Sequence, residues 1–161
     1  MSTSQPQVIA TFSRRMRLRL DDGNEIEARV KGKRMRPVCG DAVIAEPIPN
    51  ESDWLITAIE DRRNALTRPN LRGDVEVLAA NVDQLVVVAA PSPTPDWFVV
   101  DRYVAAAEQM HVEAAVVFNK MDLEGYSRSR FQAIEREYRT WLSSIGLTPK
   151  IFIPIVARDG D

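Results

Sequence analysis

Polar and apolar residues alternate with a period of two through the first third of the chain, then adopt strand-and-helix spacing in its second half. From Val8 to about Arg62 the alternating stretches are short and broken by turn residues, which predicts a small antiparallel barrel or sandwich. The clearest is Arg15-Met16-Arg17-Leu18-Arg19-Leu20, with arginines on one face and Met16, Leu18 and Leu20 on the other. Asp21-Asp22-Gly23-Asn24 supplies a tight turn into Glu25–Val30, so these two runs are expected to form a hairpin. Cys39-Gly40-Asp41 makes a second turn before a strand over 42–46. After a loop over 47–53, a last strand runs from Trp54 to Glu60. Five short strands fit an OB-type barrel, although periodicity alone equally allows an SH3-like barrel.

Residues 62–80 are less regular, with Arg68-Pro69-Asn70 and Gly73-Asp74, and predict a linker over 67–80 between a first domain over 1–66 and a second over 81–161. From Leu85 the pattern reads strand 85–90, helix 96–110, strand 114–118, helix 128–145 and strand 150–156, a parallel α/β sheet. The first helix puts Val100, Val104 and Ala107 on one stripe. The second does the same with Phe131, Ile134, Tyr138, Trp141, Leu142 and Ile145, so each can cover a sheet face. Three strands with two crossovers make about half of a nucleotide-binding domain, so the chain is expected to hold only part of one.

At 161 residues and 45% apolar content, the chain has room for one ordinary domain or two small ones. Its longest apolar runs, 85–90 and 114–118, are too short to cross a bilayer, and its first residues lack the regions of a signal peptide. A cytoplasmic protein without membrane contact is expected. The lone Cys39 permits no internal disulfide, and the lone His111 leaves too few ligands for an ordinary zinc site. Neither has the neighbours a catalytic role requires. Net charge is −2 but uneven: residues 1–40 carry nine Lys/Arg against four Asp/Glu, and 41–161 carry twelve against nineteen. That asymmetry points to a local basic surface.

Directly after the strand at 114–118 stands Asn119-Lys120-Met121-Asp122, an Asn-Lys-x-Asp string at the carboxyl end of a parallel strand, where ligands sit in open α/β sheets. An Asp carboxylate can accept hydrogen bonds from the N1–H and exocyclic amine of guanine, groups that adenine does not present in this arrangement, so Asp122 would select GTP over ATP. Asn119 would tie the loop to the pocket, and the aliphatic stem of Lys120 would lie over the ring. The plainer alternative is that Asn119 and Asp122 only shape a strand-to-helix turn. No GxxxxGK[ST] string occurs in the sequence, so nothing here is expected to cradle β- and γ-phosphates or place Mg²⁺, and these residues alone should not hydrolyse GTP.

Several stretches together resemble the RsgA/YjeQ (EngC) family of ribosome small-subunit-dependent GTPases. They are Gly40-Asp41-Ala42-Val43, the run from Arg62 to Pro69, the run from Ala79 to Leu85, Asp101-Arg102-Tyr103, and Asn119 to Leu123. The resemblance implies an OB domain that docks on 16S rRNA of the small (30S) subunit, followed by a circularly permuted GTPase domain in which the guanine motif precedes the phosphate-binding loop. It implies a monomeric GTP hydrolase of late subunit maturation that uses GTP/GDP with Mg²⁺, and a zinc-binding domain located after the residues shown here. The second base-contacting loop of the family, usually Ser-Ala, stands here as Val156-Ala157. A hydroxyl contact is thereby lost, while a backbone contact from Ala157 could persist.

Arg15, Arg17 and Arg19 at period two, with Lys31, Lys33, Arg34 and Arg36 in the following loop, form a candidate phosphate-tracking surface. The alternative is a solvated strand face on which the arginines pair with Glu25 and Glu27. Composition divides these readings evenly, and the resemblance favours RNA. A rival to the GTPase reading is a non-enzymatic RNA-binding OB module with a vestigial guanine pocket.

Overall fold

The computed structural model describes residues 5–13, 15–32, 34–90, 96–144 and 152–156. The chain forms two units, 1–82 and 83–161. Among the described residues it is mostly β-sheet with two long helices, and no helix there is long and apolar enough to cross a membrane.

The first unit is built on five strands, β1 (Gln7–Phe12), β2 (Arg15–Arg19), β3 (Glu25–Val30), β4 (Val43–Pro47) and β5 (Trp54–Ile59), in the spatial order β1-β2-β3-β5-β4. β2 and β3 make the expected hairpin, with Leu18 opposite Ile26 and Arg17 opposite Glu27. β3 and β5 run parallel, and β4 returns antiparallel to β5. A bridge between Gln7 and Ala42 joins β1 to the start of β4, supported by Val8 N–H donating to Asp41 O at 2.8 Å and Val43 N–H to Pro6 O at 2.9 Å. Irregular registers at Val8/Ala10 and Ile44/Ala45 supply the bends that let the sheet curl back on itself. This closed order is that of an OB-like β domain. The alternate residues Val8, Met16, Leu18, Ala28, Val43 and Ile56 fill its interior.

The stretch 67–80 is not a linker. Residues 65–80 form a hairpin of β6 (Ala65–Pro69) and β7 (Val75–Ala80) belonging to the first unit. Its tip is locally determined: Asn70 Oδ1 accepts from the N–H groups of Arg72 (2.8 Å) and Asp74 (3.0 Å), and Gly73 adopts a positive φ. The hairpin base is fastened to the barrel by a Cys39–Ala79 bridge and by Ala80 N–H donating to Cys39 O at 2.9 Å. At that junction Gly40 has φ +92°, and a Cβ there would lie 1.8 Å from the Ala80 carbonyl oxygen, so only glycine fits.

The second unit contains β8 (Gln84–Ala89), α1 (Trp97–Gln109), β9 (Glu113–Phe118), a short 3-10 helix (Met121–Glu124), α2 (Arg128–Ser144) and β10 (Phe152–Pro154). The strands are parallel in the order β10-β9-β8. Both helices pack on one face of this sheet. There Val87, Ala89, Val116, Phe118 and Phe152 pack against Val100 of α1 and Ile134, Tyr138 and Leu142 of α2. Asp96 caps α1 by accepting from Phe98 N–H at 3.1 Å.

Candidate functional site

The Asn119–Asp122 segment follows β9 at the carboxyl end of the parallel sheet. Phe118 is fully buried and anchors the strand, and Asn119 N–H donates to Ala89 O at 2.8 Å, which ties the loop to the end of β8. Asn119 Oδ1 accepts from Lys120 N–H at 2.7 Å and bends the chain. Lys120 takes the left-handed conformation with φ 64° and ψ 37°, uncommon for a residue with a side chain and a form of strain that clusters at binding sites. Lys120 is exposed, and Asn119 and Asp122 are half-buried. Gly125 N–H closes the turn onto Asp122 O at 3.0 Å.

Met121, counted among the nucleotide-contacting residues from sequence, is 4% exposed and belongs to the core cluster. Its side chain packs in the core beneath the loop. Its N–H donates to Ile155 O at 3.4 Å, which joins this loop to the segment after β10. Val156, in the position of the expected hydroxyl, is 2% exposed and also packs in the core. Ala157 lies outside the described residues. A cavity of about 360 Å³ is lined by Met121, Tyr126, Arg128, Phe131 and the end of β10, but Asn119, Lys120 and Asp122 are not among its walls, so it is not the base-reading site proposed from sequence.

On the barrel, the β2 arginines are engaged. Arg17 Nε lies 3.2 Å from Glu27, Arg19 3.1 Å from Glu25 and Arg15 3.8 Å from Asp53. Arg29, across from Arg15 on β3, pairs with Glu51 and reaches Asp53 at 3.4 Å. Four arginines thus face Glu25, Glu27, Glu51 and Asp53, a neutral ladder. Lys31, Arg34 and Arg36 are exposed and form no ion pair among the described residues; Lys33 lies outside them. Beside them an open groove of about 1090 Å³ is lined by Phe12, Met16, Val30, Met35 and Arg36 among others.

Residues singled out only as strings prove to be a polar clamp. Asp41 is completely buried and accepts from Arg62 Nε at 2.7 Å, from Arg62 Nη2 at 2.9 Å and from Val38 N–H at 2.8 Å. The hydrogen bond to Asp41 raises the Arg62 pKa further above its ordinary value. Asn64 Oδ1 accepts from Val82 N–H at 2.7 Å, while Asn81 accepts from Arg63 N–H at 2.8 Å and donates to Gly40 O at 2.9 Å. Spacing could not reveal this clamp, because its partners are up to 41 positions apart.

Residues 59–150 match the family model described as RsgA GTPase. Three relatives, each named small ribosomal subunit biogenesis GTPase RsgA, illustrate the similarity. The chain is 45% identical to that of Alcanivorax borkumensis over 86 residues, covering 53% of this chain and 24% of the relative. It is 35% identical to that of Pseudomonas aeruginosa over 135 residues (83% and 40%), and 29% identical to that of Photorhabdus laumondii over 143 residues (86% and 38%). The matched stretch therefore spans at most 40% of these relatives.

Proposed function

The chain belongs to the RsgA GTPase family, and on that premise we propose that it supplies the guanine-selecting loop and the rRNA-contacting barrel of a cytoplasmic GTPase that acts in maturation of the small ribosomal subunit. The observation that carries the nucleotide half is the Asn119–Asp122 turn at the carboxyl end of a parallel sheet, with Lys120 held left-handed by the Asn119 side chain. In this reading Asp122 accepts the guanine N1–H and amine, the Lys120 stem covers a ring face, and Asn119 holds the turn in shape. Ala157 contributes a backbone donor. Met121 acts by anchoring the loop in the core.

The order of elements, guanine motif with no phosphate-binding string before it, supports a circularly permuted GTPase domain. GTP would carry Mg²⁺ on its phosphates. Among the described residues no group of three or more His, Cys, Asp or Glu could hold a metal ion. The barrel, by its OB-like closure and basic residues, is assigned to 16S rRNA.

Base reading can be tested without turnover, by titrating the labelled chain with GMP or AMP and following amide chemical shifts. GMP should move the signals of Asn119, Lys120 and Asp122, and AMP should leave them in place. Asp122→Asn should abolish that difference while leaving Phe118 and Val116 signals unchanged. Equal responses of the unaltered chain to the two nucleotides would refute the assignment.

A further inference from the structure

The cations of the barrel divide by their surroundings. Arg15, Arg17, Arg19 and Arg29 each have a carboxylate within 3.8 Å. A phosphate approaching them would meet Glu25, Glu27, Glu51 and Asp53 at the same range, and the repulsion offsets the attraction. The segment from Lys31 to Val38 contains no Asp or Glu, and its exposed Lys31, Arg34 and Arg36 have no ion-pair partner among the described residues. Uncompensated cations are the ones that release counterions to bound RNA and so dominate affinity.

Arg36 and the ion-paired Arg29 line the open groove, whose apolar surface comes from Phe12, Met16, Val30 and Met35. Phe12 is 52% exposed. The Arg17 guanidinium lies 6.0 Å from its ring centroid, the outer limit of a cation–π contact, so the ring remains available. One carboxylate, Glu76, borders the groove and is held at 3.0 Å by Arg68. A cationic rim beside an apolar floor with an exposed ring suits an RNA strand with an unstacked base, not the regular surface of a duplex.

We propose that RNA binds in this groove, with Lys31, Arg34 and Arg36 on backbone phosphates and Phe12 against an unstacked base, while the arginine ladder of β2 and β3 stays internally paired. The proposal rests on the reading that the barrel binds RNA, and it names the strand and the contacts.

The test is binding of a labelled oligouridine of roughly twelve nucleotides to the 161-residue chain across a salt series. Replacing Lys31, Arg34 and Arg36 by Ala should make the slope of log affinity against log salt shallower by about 2. Replacing Arg15, Arg17 and Arg19 should leave it within about 0.5 of the original. Phe12→Ala should lower affinity roughly tenfold without altering the slope, and an RNA duplex of equal length should bind more weakly. Trp54 fluorescence checks that each variant keeps its fold. A slope lost with the strand arginines, or equally with both sets, overturns the groove assignment and leaves RNA binding standing. Unchanged affinity of Phe12→Ala removes the base contact. Absence of salt-dependent binding by the unaltered chain overturns the RNA reading itself.

Discussion

The β unit turns its sheet edges into a seam, because β1 and β4 meet across Gln7 and Ala42, whereas the α/β unit leaves β8 and β10 as outer strands with both helices on one face. On the opposite face Val86, Val88 and Ile153 are 50%, 60% and 41% exposed. A parallel sheet is ordinarily covered on both sides. The barrel is closed at the seam and tied by the polar clamp around Asp41, whereas the sheet packs through a single layer between strands and helices.

The sharpest way to break the comparison is Gly40→Ala at the hairpin junction. The added methyl meets the Ala80 carbonyl, and φ +92° is unfavourable for alanine, so the first unit should lose about 4 kcal/mol or more. Denaturant unfolding can follow the units separately, since Trp54 reports on the first and Trp97 and Trp141 on the second. A transition of the first unit displaced no further than that of the second would refute the junction's role. Next in size is Arg62→Ala, which leaves the buried Asp41 without its guanidinium and should cost about 3 kcal/mol, again in the first unit.

Within the second unit, Val87 and Val88 are adjacent on β8 but face opposite ways. Val87→Ala should cost about 2 kcal/mol and Val88→Ala about 0.5 kcal/mol, and comparable losses would show that the outer face is not bare.

The smallest effect concerns Asp101 on α1, whose pKa is raised above its ordinary 3.8, first by burial and then by the charge of Asp96. An acid with a raised folded-state pKa binds more protons when folded, so its stability contribution is fullest below the unfolded value and falls as pH rises through the folded one. Asp101→Asn should therefore gain on the unaltered chain as pH rises from about 4 to 7 and converge with it below that range. A pH-independent difference in unfolding free energy would contradict this. On α1 and α2, Trp97 Nε1, Asp101 Oδ1 and Tyr138 Oη are buried without hydrogen-bond partners among the described residues, which agrees with a carboxyl that resists ionisation. Burial, followed by the Asp101 charge, also pushes the Tyr138 hydroxyl pKa upward.

Local pattern carried far in this chain. Alternation predicts β2, β3 and the turn between them within a residue of the observed bounds, and helical stripes place α1 and α2 closely. It failed at β6 and β7. Their strands are short, Pro69 ends one of them, and the tip residues Asn70 to Asp74 read as irregular chain, although Asn70 and Gly73 build a regular hairpin turn. At the candidate nucleotide loop, the string and its place after a strand were legible, while the inward orientation of Met121 and Val156 was not. The basic strand posed two readings, and the ion pairs with Glu25 and Glu27 appear as the plainer one anticipates.

The sequence by itself determined the elements, the change from a two-residue to a helical rhythm, and the position of Asn119 to Asp122 at a strand end, because each depends on residues close along the chain. Tertiary structure decided that the 65–80 hairpin belongs to the barrel, that Gly40 admits no side chain, and which carboxylates the strand arginines meet. Those outcomes depend on groups brought together from distant positions, such as Gly40 with Ala80 and Arg29 with Glu51, and no local period encodes such meetings.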